Sequence, residues 1–189
     1  MSFNRYSSLV FTVFLLHSAT LFAQEGRELS LKDTQGILLQ GKTYEIIGDV
    51  NLKGGTLVIP EGIKLKFNGG KLRNGSVVFN HTELEGDICI EGDFKGTITN
   101  GEIKASWFGL KVGCKTDQTK VLQSIISLYE SNVPFNSWDI NLNNPEPTII
   151  IPAGKYNVGE IILRSYVTIK GAGRGSTELY GTTFKADKQ

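Results

Sequence analysis

The chain is poor in the residues that build metal centres and disulfide frameworks. Among its 189 residues there are only two cysteines, Cys89 and Cys114, and two histidines. No cysteine and histidine positions have the spacing of a metal site. Two cysteines allow at most one disulfide bond, which excludes the cross-linked class of small secreted domains.

The chain also lacks an excess of either charge. It has 20 basic and 19 acidic residues and a formal net charge of +1. Large fields of one sign attract nucleic acid or anionic lipid, and none is present here. We therefore expect no nucleic-acid partner, and no membrane partner for the chain once its N-terminal segment has been removed.

That N-terminal segment, residues 1–23, predicts a secretory signal peptide. Arg5 lies in a short charged region, residues 9–22 are almost wholly apolar, and Ala23 precedes a plausible cleavage point. The apolar run is too short to span a bilayer. Leu21 is a less typical residue at its position before the cleavage point. We expect an exported protein, in the periplasm, at the cell surface or outside the cell; an N-terminal membrane anchor is the alternative.

Glycine is abundant, with 22 residues, above the usual share of about 7%. It recurs within a repeated segment of short β-branched runs that follow a glycine turn. The three copies are residues 51–59, 71–79 and, one residue shorter, 93–100. Their glycines, Gly55, Gly75 and Gly96, lie about twenty residues apart. A fixed period of this size indicates a solenoid, whose repeats bury their apolar faces only against one another.

Side chains alternate along a strand, so the aligned copies predict which positions face inward. The inward column is predicted to be Leu57, Val77 and Ile98, and the outward column Val58, Val78 and Thr99. An antiparallel meander is the alternative, because hairpins favour the Asn-Gly pairs at 68–69 and 74–75. The twenty-residue repetition favours parallel coiling. Since such a coil needs no cross-link, we expect Cys89 and Cys114 to be free, with a bridge between them as the alternative.

One amphipathic helix interrupts the strands. Its apolar positions share a face: Val121, Leu122, Ile125, Ile126, Leu128 and Tyr129. Thr116 or Asp117 is expected to cap its start, and the helix should end before Pro134. Such a helix suits an open end or a side of the coil, where strand edges need cover. The loop that follows carries Phe135 and Trp138, which predict either a sugar-stacking surface or packing within the loop.

The chemistry-bearing residues form no definite site. Acidic side chains at 83, 85, 87, 91 and 93 are close in sequence. They are consistent with a calcium or catalytic cluster or, as we prefer, with the solvated face of a solenoid. The same two interpretations apply to His81, and we again prefer the solvated face. The glycine-rich residues 171–176 lack the following helix that a dinucleotide site needs, so we interpret them as a turn. We assign no catalytic, cofactor-binding or metal-binding residue.

Several later motifs resemble, in order, the N-terminal part of the pectate-lyase-like superfamily, in its rhamnogalacturonase and epimerase-like pectate lyase branch. They are Trp107-Phe108-Gly109, Thr116-Asp117-Gln118-Thr119, Ile151-Pro152-Ala153-Gly154-Lys155-Tyr156 and Val167-Thr168-Ile169-Lys170-Gly171-Ala172-Gly173. The resemblance implies an all-β, right-handed parallel β-helix with one capping helix. Members of the superfamily cleave or bind acidic polysaccharides, and some are phage tailspikes or adhesins.

The chain departs from the family's Gly-Asp-Gly-x-x-Asp-Asp-Thr pattern. Cys114 and Lys115 replace the first Asp and the second Gly, and Gln118 replaces the second residue of the Asp pair. Asp117 and Thr119 keep the capping role. The resemblance therefore supports the helix start but carries no acidic function to this segment.

The resemblance completes the expected organisation: a signal peptide at 1–23, N-terminal turns at 24–104, and the helix with the first lyase-like turns at 105–189. In resembling enzymes the catalytic groups lie on later turns, so we expect an incomplete N-terminal part without them. The expected function is to act on or bind acidic polysaccharide, as a lyase or hydrolase if active. A carbohydrate-binding, adhesin or tailspike-like module is the alternative. No cofactor is evident, calcium is implied only for full-length relatives, and end-to-end self-association is expected.

Overall fold

A computed structural model describes residues 29–30, 38–129, 147–164 and 167–186 of the chain. The predicted signal peptide lies outside the described residues. Phe135 and Trp138 also lie outside the described residues, so both interpretations of their loop stay predictions. No helix in the described ranges is long and apolar enough to cross a membrane.

The described residues form a right-handed parallel β-helix. Its strands are β1 (Leu29–Ser30), β2 (Thr43–Ile46), β3 (Asp49–Asn51), β4 (Thr56–Val58), β5 (Lys64–Phe67), β6 (Lys71–Gly86), β7 (Ile90–Ile98), β8 (Glu102–Lys104), β9 (Thr148–Ile151), β10 (Gly154–Asn157), β11 (Glu160–Leu163), β12 (Thr168–Gly171), β13 (Thr177–Tyr180) and β14 (Thr183–Ala186). A 3₁₀ helix (Ala105–Phe108) and the helix α1 (Thr119–Ile126) interrupt the strands.

Every strand pair among the described residues is parallel, which confirms coiling and shows that the antiparallel alternative is wrong. Strand β5 lies between β2 and β6, and β9 lies between β8 and β12. The sheet of β8, β9 and β12 contains strands from before and after α1. The same coil therefore continues past residue 104, where the expected N-terminal turns end.

The predicted register is right for the first two copies and wrong for the third. Leu57 lies opposite Val77, as expected, but Val77 lies opposite Phe94. Ile98 is buried, yet it lies opposite Thr82. The third copy therefore begins four residues earlier than the sequence repeat suggests.

The reason for this shift is a shorter third turn. Arg73 pairs with Glu91 and Ser76 with Asp93, so the two residues Asn74 and Gly75 face the single Gly92. The Lys-Gly-Thr-Ile run at 95–98 resembles the earlier copies only by coincidence of residue types. Gly92, and not Gly96, is the structural equivalent of the repeated glycines.

These equivalent glycines stack because the backbones of successive turns approach closely. A Cβ at Gly92 would overlap the carbonyl oxygen of Gly75, and a Cβ at Gly75 would approach that of Gly55 to 2.5 Å. Gly75 and Gly92 are not among the glycines with positive φ. Glycine is therefore required at these positions because the gap between turns is too narrow for a side chain, and not because of the backbone conformation.

The interior is one apolar core that follows the coil axis. Tyr44, Leu65 and Leu84 occupy equivalent positions on successive turns, and each is nearly inaccessible to solvent. Because each turn covers the apolar residues of its neighbours, burial accumulates along the stack.

Helix α1 lies at a side of the coil and has turns on both sides of it. Leu122, Ile125 and Ile126 are buried. The Asp117 carboxylate accepts the first free N–H of the helix, that of Thr119, at 2.8 Å, as expected. The N-cap residue is Gln118, so the prediction of Thr116 or Asp117 as N-cap is wrong.

Side-chain amides continue the β-ladder where strands are interrupted. Asn100 bonds to both backbone groups of Leu84, with distances of 2.9 and 2.7 Å. Gln123, on the helix, bonds to both backbone groups of Ile162 at 2.9 and 3.1 Å. Gln118 makes the same pair of bonds to Lys111, which lies in the loop after the 3₁₀ helix and outside the strands, at 2.7 and 2.9 Å. Each amide thus satisfies a donor and an acceptor that no adjacent strand pairs with.

Candidate functional site

The first outer face of the coil is formed by β2, β5 and the end of β6, and its charges are paired between turns. Lys64 Nζ lies 2.8 Å from Glu83 and 3.3 Å from Glu85. The hydrogen bond to Glu83, and then that to Glu85, raises the pKa of Lys64. Asn68 Nδ2 donates to Glu45 at 2.8 Å. Positive and negative side chains on successive strands therefore neutralise this face.

The second outer face, formed by β3, the start of β6 and the start of β7, repeats the pattern. Lys71 Nζ lies 3.9 Å from Asp49 and 3.5 Å from Glu91, and Arg73 Nε lies 3.1 Å from Asp49. Each exposed pair contributes only about 0–1 kcal/mol to folding. Their consequence for function is that this face has little unpaired charge to offer a ligand.

The structure distributes the acidic residues that are close in sequence. Glu83 and Glu85 lie on the first face, Glu91 on the second, and Asp93 on a third. Asp87 is exposed between strands. Within the described ranges no group of three or more histidine, cysteine, aspartate or glutamate side chains is placed to hold a metal ion.

The third face consists of β4 and the middle parts of β6 and β7, and its side chains differ in character from those of the other two. Register places its outward side chains in two columns, Thr56, Ser76 and Asp93 in one and Val58, Val78 and Lys95 in the other. Val58 is 61% exposed. Inter-turn ion pairs of the kind seen on the other faces do not occur among these described side chains. The third face therefore offers hydroxyl and methyl groups to solvent, with Asp93 and Lys95 at one edge.

At that edge, β7 and α1 form a groove of about 490 Å³. The residues that line it are Phe94, Lys95, Gly96, Asp117, Thr119, Lys120, Gln123, Ser124 and Ser127. Lys120 Nζ lies 3.4 Å from Asp93, and both side chains are largely exposed. The third face and this groove together are the candidate site.

Several polar groups of the groove are fixed by the fold. Thr119 Oγ1 accepts the backbone N–H of Gly159 at 2.6 Å and donates to the Asp117 carboxylate. That hydrogen bond lowers the pKa of Asp117. Ser127 Oγ donates to the Gln123 carbonyl at 2.9 Å. A carboxylate held in its ionised form suits binding and helix capping rather than general-acid catalysis.

Other polar groups of the groove are available to a ligand. Of the described side chains that line it, the Lys95 ammonium and the Ser124 hydroxyl make no hydrogen bond or ion pair within the chain. An ammonium group and a hydroxyl beside an ordered helix can bind sugar hydroxyl and carboxylate groups.

The two cysteines are free thiols in the structure. Burial raises the pKa of Cys89. The hydroxyl of Thr116, 2.9 Å from Cys114 Sγ, lowers the pKa of Cys114.

A second groove, of about 470 Å³, opens among the last described turns and is lined mainly by apolar side chains. They include Ile151, Leu163, Ile169, Leu179 and Phe184. Phe184 is 49% exposed. This groove contains inward-facing positions of the coil and carries no arrangement of chemically reactive groups.

Comparisons of the chain with protein-family models, with curated proteins and with solved structures find no match.

Sequence reasoning did not identify the candidate site. The outward columns of β4 and β6 follow from the repeat, and Lys95 can be recognised as outward once the third copy is aligned on Gly92. The groove itself depends on where α1 packs. That position is set by contacts between residues far apart in the chain, such as Gln123 with Ile162.

Proposed function

We propose that the chain is an exported β-helix protein of the pectate-lyase-like kind that binds acidic polysaccharide across the third face and the groove beside α1. The observation that supports this most is the contrast between faces. Two faces neutralise their charges between turns, whereas the third face presents hydroxyl groups and Lys95, and the adjoining groove adds Ser124 from α1. The motif resemblance in residues 107–173 independently favours a polysaccharide ligand.

The chemistry of the site matches such a ligand. Uronic acid polymers carry one carboxylate on each sugar and hydroxyl groups between them. Lys95 and Lys120 supply ammonium groups, and Thr56, Ser76 and Ser124 supply hydroxyls. Because the backbone at these residues is already fixed in packed strands and a helix, binding needs to order only the side chains.

Binding is tested by affinity electrophoresis and calorimetry with polygalacturonate, and with dextran as a neutral glycan. Lys95→Ala should weaken binding of the acidic polymer about tenfold, the loss of one charge-assisted hydrogen bond. Lys71→Ala, which removes an equal charge from the neutralised second face, is the matched control and should leave affinity unchanged. Equal losses in both variants would indicate non-specific charge attraction and reject the site.

The Asp93–Lys120 pair provides a test with the opposite sign. Asp93→Asn releases Lys120 and removes a repelling carboxylate, so the affinity for polygalacturonate should rise while that for dextran stays the same. A fall in affinity would mean that Asp93 itself contacts the ligand.

We further propose that binding occurs without cleavage by the described turns. On the first two faces Glu83, Glu85, Asp49 and Glu91 form ion pairs with lysine or arginine, and Asp117 is held ionised, so none of these carboxyl groups is suited to be the proton donor in glycoside cleavage. Incubation with pectin, rhamnogalacturonan and alginate should yield no unsaturated uronates and no new reducing ends. Either product would favour an enzyme over a binding or adhesion module.

Export is the remaining part of the proposal. The full-length chain, expressed with its own N-terminus in a Gram-negative host, should appear outside the cytoplasm with Gln24 as its first residue. A cytoplasmic product that keeps residues 1–23 would contradict it.

A further inference from the structure

The chain contains three Asn-Gly pairs, at residues 68–69, 74–75 and 100–101. Asparagine before glycine is prone to deamidation, because glycine leaves its backbone nitrogen sterically accessible to the preceding side chain. The three pairs lie in different environments. We propose that Asn68 is a site of spontaneous deamidation and that the fold protects Asn74 and Asn100.

The reaction needs no oxidant, reductant or enzyme. The backbone nitrogen of Gly69, on losing its proton, attacks Cγ of Asn68. A carbon–nitrogen bond forms, and the side-chain nitrogen leaves as ammonia with that proton. Water then opens the resulting succinimide at either carbonyl and gives aspartate or isoaspartate. In the overall reaction, asparagine and water give ammonia and either aspartate or isoaspartate. It requires a side chain that can rotate and a glycine backbone that can move towards it.

Asn68 meets both requirements. Its side chain is exposed, and its amide donates one hydrogen bond, 2.8 Å long, to the carboxylate of the half-buried Glu45. Gly69 lies in a turn with φ +67, and no heavy atom lies within 4 Å of the position that its Cβ would occupy. The nucleophile and the carbon that it attacks can therefore approach each other without disturbing the core.

Asn100 meets neither requirement. Its amide is fixed by two hydrogen bonds to the backbone of Leu84, and its carbonyl oxygen accepts the hydroxyl of Tyr129 at 3.0 Å. Rotation of the side chain towards Gly101 would break the amide pair that continues the ladder at Leu84. The reactive geometry at Asn100 is therefore reached only after local unfolding.

Asn74 is exposed, but its glycine is not mobile. Gly75 is held within β6, and a Cβ there would lie 2.5 Å from both the Gly55 carbonyl oxygen and Leu52 Cβ. The Asn74 amide also donates to Asn51 at 2.9 Å. The packed turn below Gly75 thus prevents the backbone movement that ring closure requires.

Deamidation of Asn68 changes the first face. The amide that now donates to Glu45 becomes a carboxylate, so two like charges face each other where a hydrogen bond existed. The isoaspartate product also lengthens the backbone before Gly70, whose Cβ position already overlaps the Ile46 carbonyl. The modified chain should therefore unfold at a lower temperature than the unmodified chain.

The test is peptide mapping by mass spectrometry after the folded, full-length chain is incubated at mildly alkaline pH. Asn68 should deamidate about tenfold faster than Asn100, because the Asn100 side chain must break one more hydrogen bond before it can react. Asn68 should also react faster than Asn74. In urea the three sites should react at similar rates. Equal rates in the folded chain, or faster reaction at Asn74 or Asn100, would overturn the proposal.

Two variants test the site itself. Asn68→Gln keeps an amide near Glu45 but removes the five-membered ring closure, so the modification should disappear from that peptide while the others are unchanged. Asn68→Asp reproduces one product and should melt below Asn68→Gln at neutral pH. If Asn68→Asp is as stable as Asn68→Gln, the predicted consequence for the first face is wrong.

Discussion

Replacement of Gln118 by alanine should be one of the more damaging polar substitutions in the chain. Gln118 is only 5% exposed. Its Oε1 accepts the backbone N–H of Lys111 at 2.7 Å, and its Nε2 donates to the Lys111 carbonyl at 2.9 Å. Alanine removes both hydrogen bonds and leaves both backbone groups of Lys111 without partners.

The magnitude follows from those two bonds. Each contributes about 1 kcal/mol, and a buried group left without a partner costs about 1–3 kcal/mol, so Gln118→Ala should lower the free energy of unfolding by about 2–4 kcal/mol. That is a large part of the total stability of about 5–15 kcal/mol that is usual for a domain. Gln118→Glu should be equally damaging, because one carboxylate oxygen would then face the Lys111 carbonyl.

Gln123→Ala is the matched control, because Gln123 makes the same pair of bonds to Ile162. Both of these contacts are exposed, so water can replace the lost amide, and the expected loss is about 1 kcal/mol. Urea unfolding followed by circular dichroism measures both variants. A loss at Gln118 below about 0.5 kcal/mol, within the range of ordinary surface changes, would refute the role assigned to its amide.

Three further predictions concern the glycine column, the thiols and a buried tyrosine. Gly92→Ala should destabilise the coil by at least about 2 kcal/mol in urea, since its Cβ would overlap the Gly75 carbonyl; a neutral result would mean that the turns are not in close contact. At neutral pH iodoacetamide should modify Cys114 before Cys89, because the Thr116 hydroxyl lowers the pKa of Cys114 and burial raises that of Cys89. Mass spectrometry measures the order of modification, and the reverse order would contradict the prediction. Burial also raises the pKa of Tyr129, because the fold favours the neutral phenol. The contribution of Tyr129 to the free energy of unfolding should therefore be fully present below the ordinary tyrosine pKa of about 10 and be lost as the pH rises above it. Tyr129→Phe should show a smaller alkaline loss of stability, and an equal loss would contradict the assignment.

The repeat in the sequence was sufficient to predict the architecture. Leu57 and Val77 are adjacent because a strict period places equivalent residues on neighbouring turns, and the apolar alternation shows which side faces inward. The same reasoning places Ile98 correctly in the interior but gives it the wrong register, since Ile98 lies opposite Thr82. Local similarity cannot show that the third turn is one residue shorter, whereas the close approach of Gly92 to Gly75 can.

The helix start was also predictable, because capping is a local interaction. Asp117 bonds to Thr119 two residues away, and the pattern of residue types there is sufficient to indicate it. The role of Gln118 was not predictable. A glutamine in place of an acidic residue indicated only a lost charge, and its amide pair with Lys111 depends on how the backbone folds back after the 3₁₀ helix.

The candidate site was the least predictable feature. Its lysines and serines have no distinctive spacing, and they become neighbours only because α1 packs beside β7. The acidic residues that are close in sequence are divided among the faces for a related reason. Alternation along the strands and the corners between them place neighbouring residues on different faces.

The most direct test of the account is an engineered disulfide between successive turns. The native thiols are first removed by Cys89→Ser and Cys114→Ser. The pair Val58→Cys and Val78→Cys then places two cysteines directly opposite each other on parallel strands, with Cα atoms about 5 Å apart. We predict rapid oxidation to an intramolecular disulfide, whereas Val58→Cys with Lys95→Cys, two strands apart, should stay reduced. Failure of the first pair to oxidise, or equal oxidation of both pairs, would contradict the parallel stack on which the candidate site and its proposed ligand depend.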